Sequence, residues 1–146
     1  RVRRNVRGIC ILRPGVRGLS ENIEVVSIVG RYLEHARVFH FLNGGEDEVY
    51  LASADWMPRN LDRRIELMFP IETPECKRRV TEALDTLFKD NVKGRRLNGD
   101  GVWRVPPRPA SEPPFVAQLA LYEQARRAWE RREATVPDTF VPLRAG

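Results

Sequence analysis

A change of period at Thr73 limits the fold of this chain more than any other feature. Before it, apolar residues come in short, often β-branched runs: "VRGICIL" from Val6 to Leu12, "IEVVSIVG" from Ile23 to Gly30, "HARVFHFL" from His35 to Leu42, "EVYLASA" from Glu48 and "RIELMFPI" from Arg64. Each has strand length, and turn signals such as Arg13-Pro14-Gly15 and Asn43-Gly44-Gly45 separate them. From Thr73 the spacing becomes helical. A potential N-cap, Pro74 at the first helical position and Glu75 in the first turn lead into Cys76, Val80, Ala83, Leu84, Leu87 and Phe88. "GDGVWRV" then reads as a turn and short strand, and residues 107–114 as a proline-rich, extended linker. A last helix is expected from Phe115 to Ala134, with Phe115, Leu119, Tyr122 and Trp129 on one stripe. Arg126, Arg127, Arg131 and Arg132 fall on or beside the opposite face. The pattern predicts an α/β domain, a mixed sheet with flanking helices and a C-terminal helix. At 146 residues one core is expected: a main body over 1–106, the linker, and a helix and tail over 115–146 belonging to the same domain.

Charge narrows the possible partners. Residues 1–40 hold eight arginines against three glutamates, while the remainder balances at seventeen of each sign. The whole excess of +5 therefore lies in the first quarter and is arginine, whose planar fork suits phosphate oxygens. An anionic ligand there is one reading; a merely solvated basic face is the other. Cys10 and Cys76 sit in apolar contexts without metal-ligand spacing and read as buried free thiols of a reducing compartment. No apolar run approaches the ~20 residues of a membrane helix, and no leader precedes the first strand, which predicts a soluble protein. The first residue is not methionine, so the sequence reads as a piece of something longer.

Within "VGRYLEHARVFHF" strand alternation would place His35 with Arg37, Phe39 and Phe41 on one face and His40 on the other, packed side. His35 and Arg37 then form a compact basic pair able to meet one phosphoryl group, although a strand-end histidine is more often structural. Further on, Ser53 and Asp55 at a strand end, an arginine-rich connection with Arg64, and Glu66 in the next strand complete an order of residues that resembles the phospholipase D superfamily. Its pattern is His-x-Lys, Gly-Ser-x-Asn and a downstream Glu. Arg37 takes the Lys place, Ala52 the Gly place and Asp55 the Asn place, so the phosphodiesterase pattern is present but altered.

The segments "VRGICILRPGV", "LSENIEVVSIVGRYLEHARVF", "NGGEDEVYLASADWMPRNLDRRIELMFPI" and "DGVWRV" resemble the last catalytic domain of polyphosphate kinases of the first type, over Val6 to about Arg104. That resemblance implies a phospholipase D-like half domain of an enzyme that moves the ATP γ-phosphate reversibly onto polyphosphate. It also implies a phosphorylated histidine on a preceding domain outside this chain, so that the chain alone is expected to be inactive. The family's nucleotide-contacting positions fall on Arg7 and His35, with His35 also the catalytic candidate. Arg37, Ser53, Arg64 and Glu66 are second-tier candidates: Glu66 would orient His35, or else pair with Arg64 in support of the fold. Mg²⁺ is expected on the phosphates, with its protein ligands outside this chain and no metal site within it. ATP, ADP, polyphosphate and the preceding domains of the same enzyme are the implied partners, with a homo-oligomer at full length and no nucleic acid. A cytoplasmic location is expected, with membrane association of the full-length enzyme left open. Two other classes remain: a phospholipase D-type phosphodiesterase half domain, against which Arg37 and Asp55 speak, and a basic polyanion- or nucleic-acid-binding module, which would need exposed aromatics interleaved with the basic residues.

Overall fold

Ile23–Ile28 is the most deeply covered strand of the molecule: Val25, Val26, Ser27 and Ile28 are all buried. A computed structural model describes residues 1–133, and the architecture grows outward from this strand. In chain order the elements are β1 (Val2–Asn5), β2 (Ile23–Ile28), β3 (Val38–Phe41), β4 (Glu48–Ala52), α1 (Pro58–Arg63), β5 (Met68–Pro70), α2 (Pro74–Phe88), β6 (Gly94–Leu97), β7 (Trp103–Arg104) and α3 (Ala117–Glu133). The α/β class with a C-terminal helix holds, but the strands form two sheets rather than one. The first is mixed, in the order β1-β2-β6-β7, with β1 parallel to β2 and the other neighbours antiparallel. The second is antiparallel, β3-β4-β5. Val26, Ile28 and Ala117 form a core cluster on which Leu87, Phe88 and Phe115 pack, so α2 and the start of α3 close one face of the first sheet.

The expected first strand, Val6–Leu12, is displaced. The strand is "VRRN", Val2–Asn5, and the ladder is left after Val6 donates to the Val26 carbonyl at 2.8 Å. Gly8, at φ 104°, turns the chain away, and Ile9 and Ile11 end up exposed. Charged residues can occupy β1 because their charge is met. Glu24 on the neighbouring strand lies 3.2 Å from Arg1 and 3.4 Å from Arg3, and the Arg3 guanidinium stacks 3.9 Å from the Phe88 ring centroid.

Helix α2 begins where expected, with Thr73 extended at the N-cap position and Pro74 first in the helix, although the Thr73 hydroxyl makes no capping bond. Its C-terminal end is tied down by two adjacent residues. Asp90 Oδ1 accepts the backbone N–H groups of Val92 (3.0 Å), Lys93 (2.6 Å) and Gly94 (2.9 Å), while Oδ2 accepts that of Ala117 at 2.8 Å. Asn91 Oδ1 accepts from Phe115 N at 2.7 Å. A Cβ at Gly94 would stand 2.6 Å from the Asp90 carbonyl oxygen, so this junction requires glycine there. One carboxylate thus organises the start of β6 and the start of α3 together.

The last helix starts at Ala117, and its docked face is Ala117 and Gln118. Leu119, Tyr122 and Trp129, expected on a buried stripe, are each about half exposed, at 54%, 52% and 55%. Arg126 lies among them and pairs with Glu123 and Glu130. Ala134 and the expected tail lie outside the described residues. No helix among the described residues is long and apolar enough to cross a membrane.

Candidate functional site

Residues 29–37 carry the chain from the end of β2 in the first sheet to the start of β3 in the second, and this connection holds the histidine and arginine singled out above. His35 and Arg37 were expected inside a strand; β3 begins only at Val38, so both sit on the loop before it. Strand alternation therefore does not govern His35. Its ring is exposed and makes no hydrogen bond or ion pair among the described residues.

The loop is held by its neighbours' polar groups. Arg37 Nη1 donates to the His35 carbonyl, while Nε and Nη2 reach Asp55 Oδ1 at 2.9 and 2.6 Å. Arg7 was expected inside a buried strand, where its charge would be costly. It lies instead in the exposed segment just past β1, where Nη1 donates to the Tyr32 carbonyl at 3.2 Å. That single bond leaves the rest of its fork available to a ligand. Arg4, Arg7, His35, Arg37, Asp55 and Trp56 all line one open cleft of about 1730 Å³ between the two sheets, with the Arg4 guanidinium 4.6 Å from the Trp56 ring centroid. Arg7 and His35, far apart in sequence, are thus brought to one cleft.

Ser53, Arg64 and Glu66 form a separate group that does not line this cleft. Ser53 Oγ donates to Glu66 Oε2 and accepts Leu67 N at 2.9 Å. Arg64 Nε lies 3.6 Å from Glu66 Oε1, and Arg64 Nη1 donates to Asn60 Oδ1 at 3.3 Å. Glu66 meets Ser53 and Arg64, not His35. His40 lies half-buried on β3 opposite Val49, its Nε2 3.3 Å from Asp47 Oδ2. Of the two cysteines, both free, Cys10 is half-buried and Cys76 is exposed, so the expected burial of Cys76 does not occur.

Two of the departures from the His-x-Lys and Gly-Ser-x-Asn pattern contact each other. Arg37, in the Lys place, is paired with Asp55, in the Asn place, at 2.6 Å. Two opposite charges at the ends of neighbouring strands were the available signal for Asp55, which was not among the candidates. Because Arg37 is only partly buried, the expected coupling energy is about 1 kcal/mol. It is measured by a double-mutant cycle of Arg37→Ala and Asp55→Ala in urea unfolding; strictly additive losses would show that the pair does not contribute.

This α/β domain gathers arginines and an imidazole at one cleft. Comparison with known proteins specifies the family. Residues 1–118 match the family described as polyphosphate kinase C-terminal domain 2. The chain is 53% identical over 146 residues to a polyphosphate kinase of Rhodopirellula baltica, covering 97% of this chain and 17% of that protein. It is 50% identical over 122 residues to one of Halalkalibacterium halodurans, covering 84% and 17%. The crystal structure of polyphosphate kinase from Porphyromonas gingivalis superposes with a TM-score of 0.80 at 38% identity, over 88% of this chain and 20% of that one. The chain belongs to the polyphosphate kinase C-terminal domain family, and it spans about a sixth of the length of these relatives.

Proposed function

We propose that this domain supplies nucleotide- and phosphate-contacting residues to an ATP:polyphosphate phosphotransferase, with Arg7 and His35 as its principal contacts. The observation that carries this reading is their convergence: Arg7 bonds the backbone of the loop that bears His35, and both open onto one cleft. Arg7 offsets the charge of the triphosphate, and His35 hydrogen-bonds or protonates near the transferring group. In the transfer, a histidine nitrogen on a preceding domain outside these residues forms a bond to the γ-phosphorus as the bond to the β,γ-bridging oxygen breaks and ADP leaves. The terminal oxygen of polyphosphate then takes the phosphoryl group from that histidine, and both steps reverse. Arg37 has a supporting part, since its guanidinium is engaged by Asp55 and by the loop backbone.

Magnesium on the phosphates fits this chemistry, with its protein ligands supplied from outside this chain as part of the proposal. Among the described residues no group of three or more His, Cys, Asp or Glu could hold a metal ion, and Asp55 is engaged by Arg37. No step here is routed through the ion. The preceding domains and a homo-oligomeric full-length enzyme complete the proposal.

In the test, ATP and long-chain polyphosphate compete for the 146-residue chain in a titration followed by calorimetry. Mutual displacement is expected. Tight oligonucleotide binding that polyphosphate does not disturb would replace this reading with the nucleic-acid module.

A further inference from the structure

The loop that presents His35 is not held by burial. Arg31, Tyr32, Leu33, His35 and Ala36 are all exposed, Leu33 at 60%. A segment with so few apolar contacts opens easily unless polar contacts fix it. One comes from the far end of the chain. Gln118, the second residue of α3, is 5% exposed, and the three hydrogen bonds of its side chain all go to this loop. Its Oε1 accepts Tyr32 N at 3.0 Å, and its Nε2 donates to the Tyr32 carbonyl and to Glu34 Oε1, both at 2.8 Å. The amide thus occupies both backbone groups of one loop residue, as a neighbouring strand would. The Tyr32 carbonyl is the same oxygen that Arg7 reaches. Space has been cleared for this contact: a Cβ built at Gly30 would stand 2.2 Å from Gln118 Oε1. The glutamine itself cannot drift, because Asp90 holds the N–H of Ala117 beside it.

We propose that Gln118 is a positioning residue for the phosphotransfer site: from the first turn of α3 it sets the backbone of Tyr32, and through it the placement of His35 and Arg7. The inference rests on the function proposed above. Gln118 touches no reacting atom; it acts through the loop.

Two variants in the full-length kinase test it by different routes. Gln118→Glu keeps the size and the acceptor for Tyr32 N, but loses both donors and sets a carboxylate against Glu34. Gly30→Ala leaves Gln118 intact and drives its amide off Tyr32 with a methyl group. Each is expected to speed hydrogen exchange at the Tyr32 amide and to lower kcat/KM for ATP about tenfold. On a background carrying both His35→Ala and Arg7→Ala neither should cost much more, because both residues being placed are gone. Wild-type kcat/KM in both variants, beside an impaired His35→Ala enzyme, would overturn the positioning role alone. So would a full tenfold penalty retained on the background that lacks both His35 and Arg7. Full activity in His35→Ala and Arg7→Ala themselves would instead overturn the functional reading, and the positioning role with it.

Discussion

Replacing His35 with alanine in the full-length polyphosphate kinase is expected to lower kcat for polyphosphate synthesis by about 10²–10⁴-fold, the range for loss of a positioned acid–base or hydrogen-bonding group. The structure makes this a clean experiment. The ring is exposed and makes no bond to the rest of the described residues, so its removal should change stability by no more than about 0.5 kcal/mol. An activity loss without a stability loss then assigns the ring to the reaction. Arg7→Ala should act more on KM, by about 10-fold or more, because it loses a charged contact to the phosphates along with a bond to Tyr32. Arg7→Lys should recover only part of this, since a single ammonium lacks the fork needed to serve backbone and ligand together. Steady-state kinetics on purified enzyme decides it, and normal activity in either alanine variant removes that residue from the site.

The second large effect is on the fold. Asp90→Ala removes the acceptor of four backbone N–H groups, those of Val92, Lys93, Gly94 and Ala117. Bonds to a charged acceptor are the stronger kind, and the donors left behind are partly covered, so a loss of about 2–4 kcal/mol is expected. For a domain of this size that corresponds to a fall in Tm of roughly 10 °C. Asp90→Asn, which keeps one acceptor oxygen, should fall between. Thermal unfolding measures both, and a Tm within about 2 °C of wild type for the alanine variant would show that the junction is held by other contacts.

Some of this was legible before any coordinates. The β-branched run of β2 announced a buried strand, and Thr73-Pro74-Glu75 located the start of α2 to the residue. Asn43-Gly44-Gly45 was read correctly as a turn: all three residues have positive φ. The first strand was misplaced because pattern alone favours "VRGICIL" over "VRRN", and nothing local shows that Glu24 and Phe88 would accept the arginines. β6, "GRRL", was missed as well; its buried Gly94 and Leu97 flank two consecutive exposed arginines, so it lacks the alternation that marks a strand. In the site, His35 was singled out beside Arg37 from the residues themselves, and its link with Arg7 was reached only through resemblance to a family. What links them is a backbone carbonyl, and backbone groups carry no sequence signal. Gln118 lies 86 residues from its partner Tyr32, and a glutamine at the start of a helix is ordinary in any sequence.

The division of the strands between two sheets also bears on mechanics. The chain passes between the sheets through residues 29–37 on the way out and through the segment containing α2 on the way back, so the candidate site lies on one of two tethers. Arg7 extends from the first sheet, while Arg37 borders the second. A phosphate chain gripped by both would staple one sheet to the other, and tighter binding would appear as resistance to pulling them apart.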